Sequence, residues 1–323
     1  MPKALITGVT GQDGSYLTEL LLSKGYEVHG ITRSTEDLER SWVGRLFQDS
    51  TTYKKRLFFH PGDLSDPAGL RAMIDKSKPD EIYHLAAQSH VGRSFEDPEG
   101  TCEVTAMGTL RLLEIVRAMS KPAKFFHAAS GEIFGDAQES PQTVDTPMAP
   151  VNPYGCAKAF ATQMVQVYRR SFGIFASNGI LYNHESPRRG ENFVTKKICR
   201  AAAAIKLGKQ NELLLGDTSA KRDWGHAKDY VRGMWLALQH EPPEDFIFAT
   251  GELHSVQDVV EIAFASVELD WKNYVKQDPK LFRPTEAQCL VGDPSKAETV
   301  LGWKREFQFA DIIREMTLAE LEG

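Results

Sequence analysis

Residues 3–7 read as a short buried strand, and Gly8-Val9-Thr10-Gly11-Gln12-Asp13-Gly14 follows at once, ahead of a helical run carrying Tyr16, Leu17, Leu20 and Leu21. No other stretch narrows the possible folds so far. A strand, a glycine turn and a helix N-terminus gather unpaired backbone N–H groups at one point, where the helix dipole also favours negative charge. Such a turn seats a pyrophosphate. The glycines let the backbone approach the phosphates and let the helix pack closely on the strand. The spacing here is Gly-x-x-Gly-x-x-Gly rather than Gly-x-Gly-x-x-Gly, but the geometry required is similar. Three glycines without the flanking elements would make an ordinary loop; here both flanks are present.

The alternation that this turn begins continues along the chain. Strands are predicted at 27–32, 56–60, 81–85, 123–129 and 174–181, with helices at 66–77, 101–119 and 152–172. Strands alternating with helices build a parallel, doubly wound α/β sheet of the Rossmann type. Residues 35–55 form a polar connection containing Trp42, long enough to serve as an oligomer contact. Beyond residue 182 the alternation loosens. Residues 1–182 are therefore expected to form the dinucleotide-binding domain, rejoined by a helix at 229–239 and a strand at 246–249 within 226–250. Residues 183–225 and 251–323, with helices near 256–267 and 309–321, are expected to form a smaller C-terminal α/β substrate lobe. A chain of 323 residues suits one large domain with an appended lobe.

A formal net charge of -6 argues against nucleic acid as the main partner. No apolar run is long enough to span a bilayer, and the N-terminus enters a strand without room for a signal peptide. Cys102, Cys156, Cys199 and Cys289 lie far apart, so neither a disulfide framework nor a zinc site is expected. The histidines lack metal-binding spacing, and no metal is expected; His84 and His90 read as structural or cofactor-lining. The setting expected is the cytoplasm.

The strand ends carry the chemistry. Where an NAD site commonly places an acidic residue, the second strand ends in Arg33-Ser34, and an arginine there pairs with a 2′-phosphate; NADP is expected over NAD. Asp63, after the third strand, is placed to accept from an adenine amino group or else to form a turn. The small residues of Leu85-Ala86-Ala87-Gln88-Ser89 let a cofactor approach. If the chain stays extended through Ser130-Gly131-Glu132, residues 130 and 132 face the crevice together. Tyr154 and Lys158 stand four apart on a helix and share a face. A phenol titrates at roughly 10, and a neighbouring ammonium lowers that value, making Tyr154 a candidate base. Arg188, Arg189, Lys196, Lys197, Lys221, Arg222 and Arg283 are a basic set for a phosphate-bearing ligand; the alternative is solvated surface charge.

Taken in order, the glycine loop, Leu85-Ala86-Ala87-Gln88-Ser89, Ser130-x-Glu132, Tyr154-x-x-x-Lys158, Asn183-His184-Glu185-Ser186-Pro187-Arg188-Arg189-Gly190, Arg222-Asp223-Trp224-Gly225 and Phe282-Arg283-Pro284 run end to end. They resemble the extended short-chain dehydrogenase/reductase superfamily and, within it, the GDP-mannose 4,6-dehydratase family. The resemblance implies that Tyr154, helped by Lys158, takes the 4-hydroxyl proton as hydride leaves C4 for NADP. Glu132 then removes the C5 hydrogen, and water is lost from C6 with Glu132 or Ser130 as proton donor. Hydride returns to C6, giving GDP-4-keto-6-deoxymannose.

By the same resemblance Ser130, Glu132, Tyr154 and Lys158 are the catalytic set. The cofactor set is Gly8, Gly11, Gln12, Asp13, Gly14, Arg33, Asp63, Leu64, Leu85, Ala86, Ala87 and Ser89, with Tyr154, Lys158, His184 and Arg189. The GDP-sugar set is Gln88, Ser130, Glu132, Asn183, Val194, Lys197, Leu215, Gly216, Arg222, Arg283 and Glu286. A homodimer or homotetramer is implied.

Two departures stand out. Ala129-Ser130-Gly131-Glu132 replaces the family's Ser-Thr-Ser-Glu, which is expected to widen the pocket near C5–C6 and to suit a larger sugar such as a GDP-heptose. A single Arg33 also replaces the family's usual pair. The other readings are a nucleotide-sugar 4-reductase or epimerase, which has no need of Glu132, and a non-catalytic NADP-binding regulator, which has no need of Glu132, Tyr154 and Lys158 together.

Overall fold

The computed structural model describes residues 1–34, 38, 41–44, 46, 55–281 and 290–322. Its centre is a sheet of parallel strands: β1 (Lys3–Thr7), β2 (Glu27–Thr32), β3 (Leu57–Pro61), β4 (Glu81–His84), β5 (Lys124–Ser130), β6 (Ala176–Leu181) and, from later in the chain, β11 (Phe246–Phe248). The spatial order is β11-β6-β5-β4-β1-β2-β3, with β1 between the two halves. The strands are almost wholly buried because helices cover both faces, which is why they read as continuous apolar runs. Alternate residues feed opposite layers. Ala4, Ile6, Tyr83 and Phe126 join one core; Leu5, Ile82 and Phe125 join the other.

Helices α1 (Gln12–Ser23), α2 (Pro67–Ser77), α3 (Gly108–Arg117) and α4 (Pro153–Phe172) follow strands β1, β3, β4 and β5. The sequence defines α4 at both ends. The Asn152 side chain accepts from Gly155 N–H, Pro153 occupies the first turn, and Gly173 ends the helix with φ 65°. Its buried face carries Tyr154, Ala157, Lys158, Ala161, Thr162, Val165 and Tyr168 at helical spacing, so one stripe serves both core and crevice.

The helix predicted at 101–119 is instead interrupted. A short helix, Pro98–Cys102, passes through a π-helical turn at Glu103–Met107 before α3 begins. The wider turn keeps three threonines toward β4 and its loop. Thr101 accepts from Gln88 Nε2, Thr105 accepts from Gln88 N–H, and Thr109 bonds His84.

The C-terminal lobe packs α5 (Val194–Lys206), α7 (Val256–Ser266) and α8 (Phe309–Glu322) around Ile198, Leu213, Val259, Phe264, Ile312 and Met316. Helix α6 (Ala227–Gln239) returns to the sheet and lies against α1. Three two-stranded ribbons join these parts: β7 (Asn183–Glu185) with β10 (Trp224–His226), β9 (Lys221–Arg222) with β12 (His254–Ser255), and β8 (Leu213–Leu215) with β13 (Val275–Gln277). Neither these ribbons nor α5 was predicted. The stripe Ile198, Ala202, Ile205 was the available signal for α5, but the density of charge around it drew attention to chemistry instead. Most of the 35–55 connection, with its expected oligomer contact, lies outside the described residues.

At the β6–β11 edge, Asp245 clamps the sheet. Its carboxylate meets Arg169 Nη1 at 2.7 Å and accepts from Asn178 N–H and Gln166 Nε2. Burial pushes this carboxyl up, but Arg169 and the hydrogen bonds outweigh it and hold it below its ordinary value. The stability that it contributes is therefore present above the ordinary carboxylate range and is lost as pH falls through the lowered value. Asp245→Asn should cost about 3 kcal/mol near neutral pH, because it leaves Arg169 half-satisfied. In urea titrations the gap from wild type should close below about pH 4; a gap independent of pH would contradict this account.

Candidate active site

The carboxyl ends of the sheet strands open onto one cavity of about 1510 Å³. That exceeds the roughly 300–1,000 Å³ of a site for one small ligand and leaves room for a dinucleotide and a nucleotide sugar together. Its floor is the glycine turn. Gly8 has φ +74°, and a Cβ there would lie 3.0 Å from the Ala86 nitrogen. A Cβ on Gly14 would lie 2.3 Å from the Gly8 carbonyl oxygen, so α1 rests on the turn with no room for a side chain. Helix α1 starts at Gly11 with no side-chain cap, leaving its first amides to face an anion. This cradle fits a dinucleotide pyrophosphate.

Every residue of the expected cofactor set lies on the wall of this cavity, although several hold each other as well. His184 Nε2 donates to Asp13 Oδ2 at 2.8 Å, and its Nδ1 donates to the Tyr182 carbonyl at 2.7 Å. Burial pushes the Asp13 carboxyl up, but His184 and Arg189 bring it below its ordinary value. Gln12 donates to the His184 carbonyl and accepts from the Ser186 hydroxyl. These polar side chains pin residues 184–186 onto the glycine turn. Asp63 accepts from the backbone and hydroxyl of Ser65 and so forms the turn that was the alternative reading, while remaining on the cavity wall. Arg33 and Ser34 line the same region.

Ser130, Glu132, Tyr154 and Lys158 all reach the cavity. Ser130 and Glu132 do so by a different route from the one expected. The chain leaves the extended conformation after Ser130 and enters a 3₁₀ turn, Gly131–Ile133, in which the Glu132 N–H donates back to Ser130 Oγ at 3.3 Å. The Glu132 carboxylate is held by Asn152 Nδ2 at 2.8 Å. Gly131, one of the two positions expected to widen the pocket, lies against Tyr182. A Cβ there would lie 3.2 Å from the Tyr182 ring, so the ring fills the space that the missing side chain leaves.

The buried pair of titratable groups on α4 differs from expectation. Burial pushes the Tyr154 phenol up to about 12, with Ser130 and Arg189 lowering it and Glu132 raising it. Lys158 is 3% exposed, and its ammonium donates to the Ala128 carbonyl at 2.6 Å. Burial brings Lys158 down to about 7. His84 and His127 lie alongside, their rings 5.6 Å apart, and burial followed by the charge of Lys158 keeps both far below the ordinary histidine value. They offer Lys158 no counter-charge.

Of the basic set, Arg188, Arg189, Lys196 and Arg222 line the cavity, and the first three are matched by acids of the chain. Arg188 pairs with Glu19 at 2.7 Å and covers the Tyr16 ring, Arg189 pairs with Glu185 at 3.1 Å, and Lys196 pairs with Glu320. Buried cations need such partners, and the chain's own acids supply them. Lys221 is exposed, whereas Arg222 is buried on the cavity wall.

Of the expected sugar-nucleotide set, Gln88, Ser130, Glu132, Asn183, Val194 and Arg222 line the cavity. Gln88 is also bound to His90 and Thr101. Three residues stand elsewhere. Lys197 is exposed and donates to the Leu214 carbonyl, Leu215 is buried in the lobe core, and Gly216 packs against the Leu281 backbone. Arg283 and Glu286 lie outside the described residues. Among the described residues no group of His, Cys, Asp or Glu has the arrangement of a metal site, and no helix is long and apolar enough to cross a membrane. Sequence reasoning passed over Asn152, whose position just before Pro153 is the sign of a helix cap, and over Glu185, Thr195 and Glu320 on the cavity wall.

Residues 5–316 match the family model described as GDP-mannose 4,6 dehydratase. GDP-mannose 4,6 dehydratase 1 of Arabidopsis thaliana is 49% identical over 324 residues, covering 99% of this chain and 90% of the relative. GDP-mannose 4,6-dehydratase of Vibrio cholerae is 46% identical over 349 residues, covering 99% and 94%. Among solved structures, the dTDP-glucose 4,6-dehydratase DesIV of Streptomyces venezuelae, with NAD bound, matches at TM-score 0.85 and 24% identity, over 99% of this chain and 97% of that one. RMD of Pseudomonas aeruginosa, complexed with NADPH, matches at TM-score 0.83 and 22% identity, over 100% and 99%. At these identities the solved structures speak to the fold alone.

The value of about 7 for Lys158 lies below the model-peptide value of 10.5. Burying this side chain therefore costs stability in full below about pH 7, and the cost fades as pH rises toward 10.5. Lys158→Met should melt higher than wild type at about pH 6, and the margin should narrow by about pH 9. Margins equal at the two pH values would exclude Lys158 as the titrating group.

Proposed function

The chain belongs to the GDP-mannose 4,6-dehydratase family, and we propose that its cavity converts GDP-mannose to GDP-4-keto-6-deoxymannose and water, with NADP as the dinucleotide. The observation that carries this reading is the presence of the Glu132 carboxylate on the same cavity wall as Tyr154 and Lys158. A 4-epimerase or 4-reductase uses such a tyrosine and lysine but has no task for a base at C5.

The glycine turn and the first amides of α1 would hold the pyrophosphate, with Arg33 and Ser34 at the ribose end. When bound, the nicotinamide supplies the redox chemistry, oxidising C4 of the hexose and later reducing C6. Tyr154 Oη receives the proton of the 4-hydroxyl. Burial disfavours its phenolate, which the Ser130 hydrogen bond and the Arg189 charge favour, and the ammonium of Lys158 is proposed to add to them when ligand fills the cavity. The C4 ketone acidifies the hydrogen at C5, and a Glu132 oxygen takes that proton. Glu132 then passes it to the departing 6-hydroxyl, which leaves as water, with Ser130 as a further donor beside it. The proton taken by Tyr154 balances the one that C5 regains, so the chain ends the cycle as it began. Gln88, Asn183, Val194 and Arg222 are proposed to line the sugar-nucleotide portion; Lys197, Leu215, Gly216, Arg283 and Glu286 are proposed for it on the family resemblance alone.

In this reading residues 1–182 with 226–250 serve the dinucleotide, and the remainder serves the nucleotide sugar. We also carry a homodimer or homotetramer, supported by the exposed Phe95, Met107, Phe160, Val167 and Phe172 on the helices around α4. A cytoplasmic setting rests on the cysteine spacing.

Incubation with GDP-mannose and no added reductant should yield a product lighter by one water, with no net consumption of NADPH. A requirement for stoichiometric NADPH would favour a reductase instead. Glu132→Gln should block dehydration yet leave C4 oxidation, visible as reduced nicotinamide that persists; near-wild-type product formation would remove Glu132 from its role. Tyr154→Phe should suppress nicotinamide reduction itself, and a normal rate of reduction would contradict the assignment.

A further inference from the structure

We propose that Asn152 is a positioning residue that fixes the Glu132 carboxylate relative to Tyr154. Its side chain is buried, 6% exposed, and both ends of the amide are engaged. Oδ1 accepts the Gly155 N–H at 2.8 Å, and Nδ2 donates to Glu132 Oε2 at 2.8 Å. The orientation of the amide is not open to choice. Gly155 N–H can only donate, so the oxygen must face the helix and the NH₂ must face Glu132.

The backbones are locked together at the same place. A Cβ on Gly155 would lie 2.6 Å from the Glu132 carbonyl oxygen, so the first turn of α4 sits directly on the Glu132 main chain. Main-chain contact fixes where Glu132 starts, and Asn152 fixes where its carboxylate ends. Tyr154 lies in the chain between Asn152 and Gly155, whose N–H the Asn152 side chain caps. The base for C5 and the phenol for the 4-hydroxyl are thus referenced to one helix end.

Capping alone does not require asparagine. Serine and aspartate cap helices about as well, with an oxygen that accepts from the same amide. Aspartate has no donor for a carboxylate, serine's only donor is on the same short oxygen that caps the helix and does not reach as the amide does, and a glutamine would carry its amide one carbon too far. Because Nδ2 donates to Oε2, Oε1 is left for the substrate.

The inference rests on the reading of Glu132 as the C5 base, and the experiment separates the two. Asn152→Ser, assayed on GDP-mannose, should keep the wild-type melting temperature and a KM within about threefold, while kcat falls about 10- to 100-fold. Reduced nicotinamide should build up during its turnover, since C4 oxidation is untouched and elimination lags. Asn152→Asp also caps the helix but sets a carboxylate against Glu132, so its kcat should fall further. In a Glu132→Gln background Asn152→Ser should add nothing, because the group it positions is gone. A wild-type kcat for Asn152→Ser overturns the proposal. So does a loss accompanied by a lower melting temperature without reduced nicotinamide, which would mark a structural role, or a full additional loss in the Glu132→Gln background. Normal dehydration by Glu132→Gln alone would instead overturn the reading of the base.

Discussion

Backbone meets backbone where α1 crosses the end of β1, and the arrangement of the cavity follows from that contact. With no atom beyond Cα at Gly14, the helix settles against the Gly8 carbonyl and aims its uncapped amides into the crevice. The next two side chains along that turn reach outward. Gln12 and Asp13 take hold of residues 184–186, and His184 in turn stacks on Tyr230 of α6, ring centroids 4.5 Å apart. A contact less than one residue wide thus registers the turn, the strand that leads into the lobe, and the helix that returns to the sheet. A methyl group at Gly14 would disturb all three.

Much of the sheet was legible because parallel strands buried on both faces leave apolar runs bounded by turns, and because helices such as α4 announce their ends with Asn152, Pro153 and Gly173. What stayed hidden depends on pairing between distant segments. The ribbon of β7 and β10 joins three-residue pieces forty positions apart, too short for any period to register. At the site, the identity of Tyr154, Lys158 and Glu132 could be read, but their surroundings could not. That Glu132 arrives through a 3₁₀ turn, that Tyr182 fills the space beside Gly131, and that the arginines and lysines of 188–196 are already matched by Glu19, Glu185 and Glu320 are facts about partners far off in the chain.

The two groups on α4 illustrate the tension between burial and chemistry. A dry wall drives the phenol up and the ammonium down, so each is held away from the charge state that proton transfer needs. The same dryness strengthens whatever charge a ligand brings into the cavity. Lys158 donates to one carbonyl, near two neutral imidazoles, and its burial is a standing cost to the fold. On the proposed reading of the site, that stability is given up for reactivity.

The π-helical turn at Glu103–Met107 bears on how this chain can change over time. It brings Thr101, Thr105 and Thr109, four apart in sequence, onto the loop after β4 that borders the crevice, whereas a regular helix would carry them round by about 40° at each step. Side chains elsewhere along that turn are free to drift in kind so long as these three threonines keep their bonds.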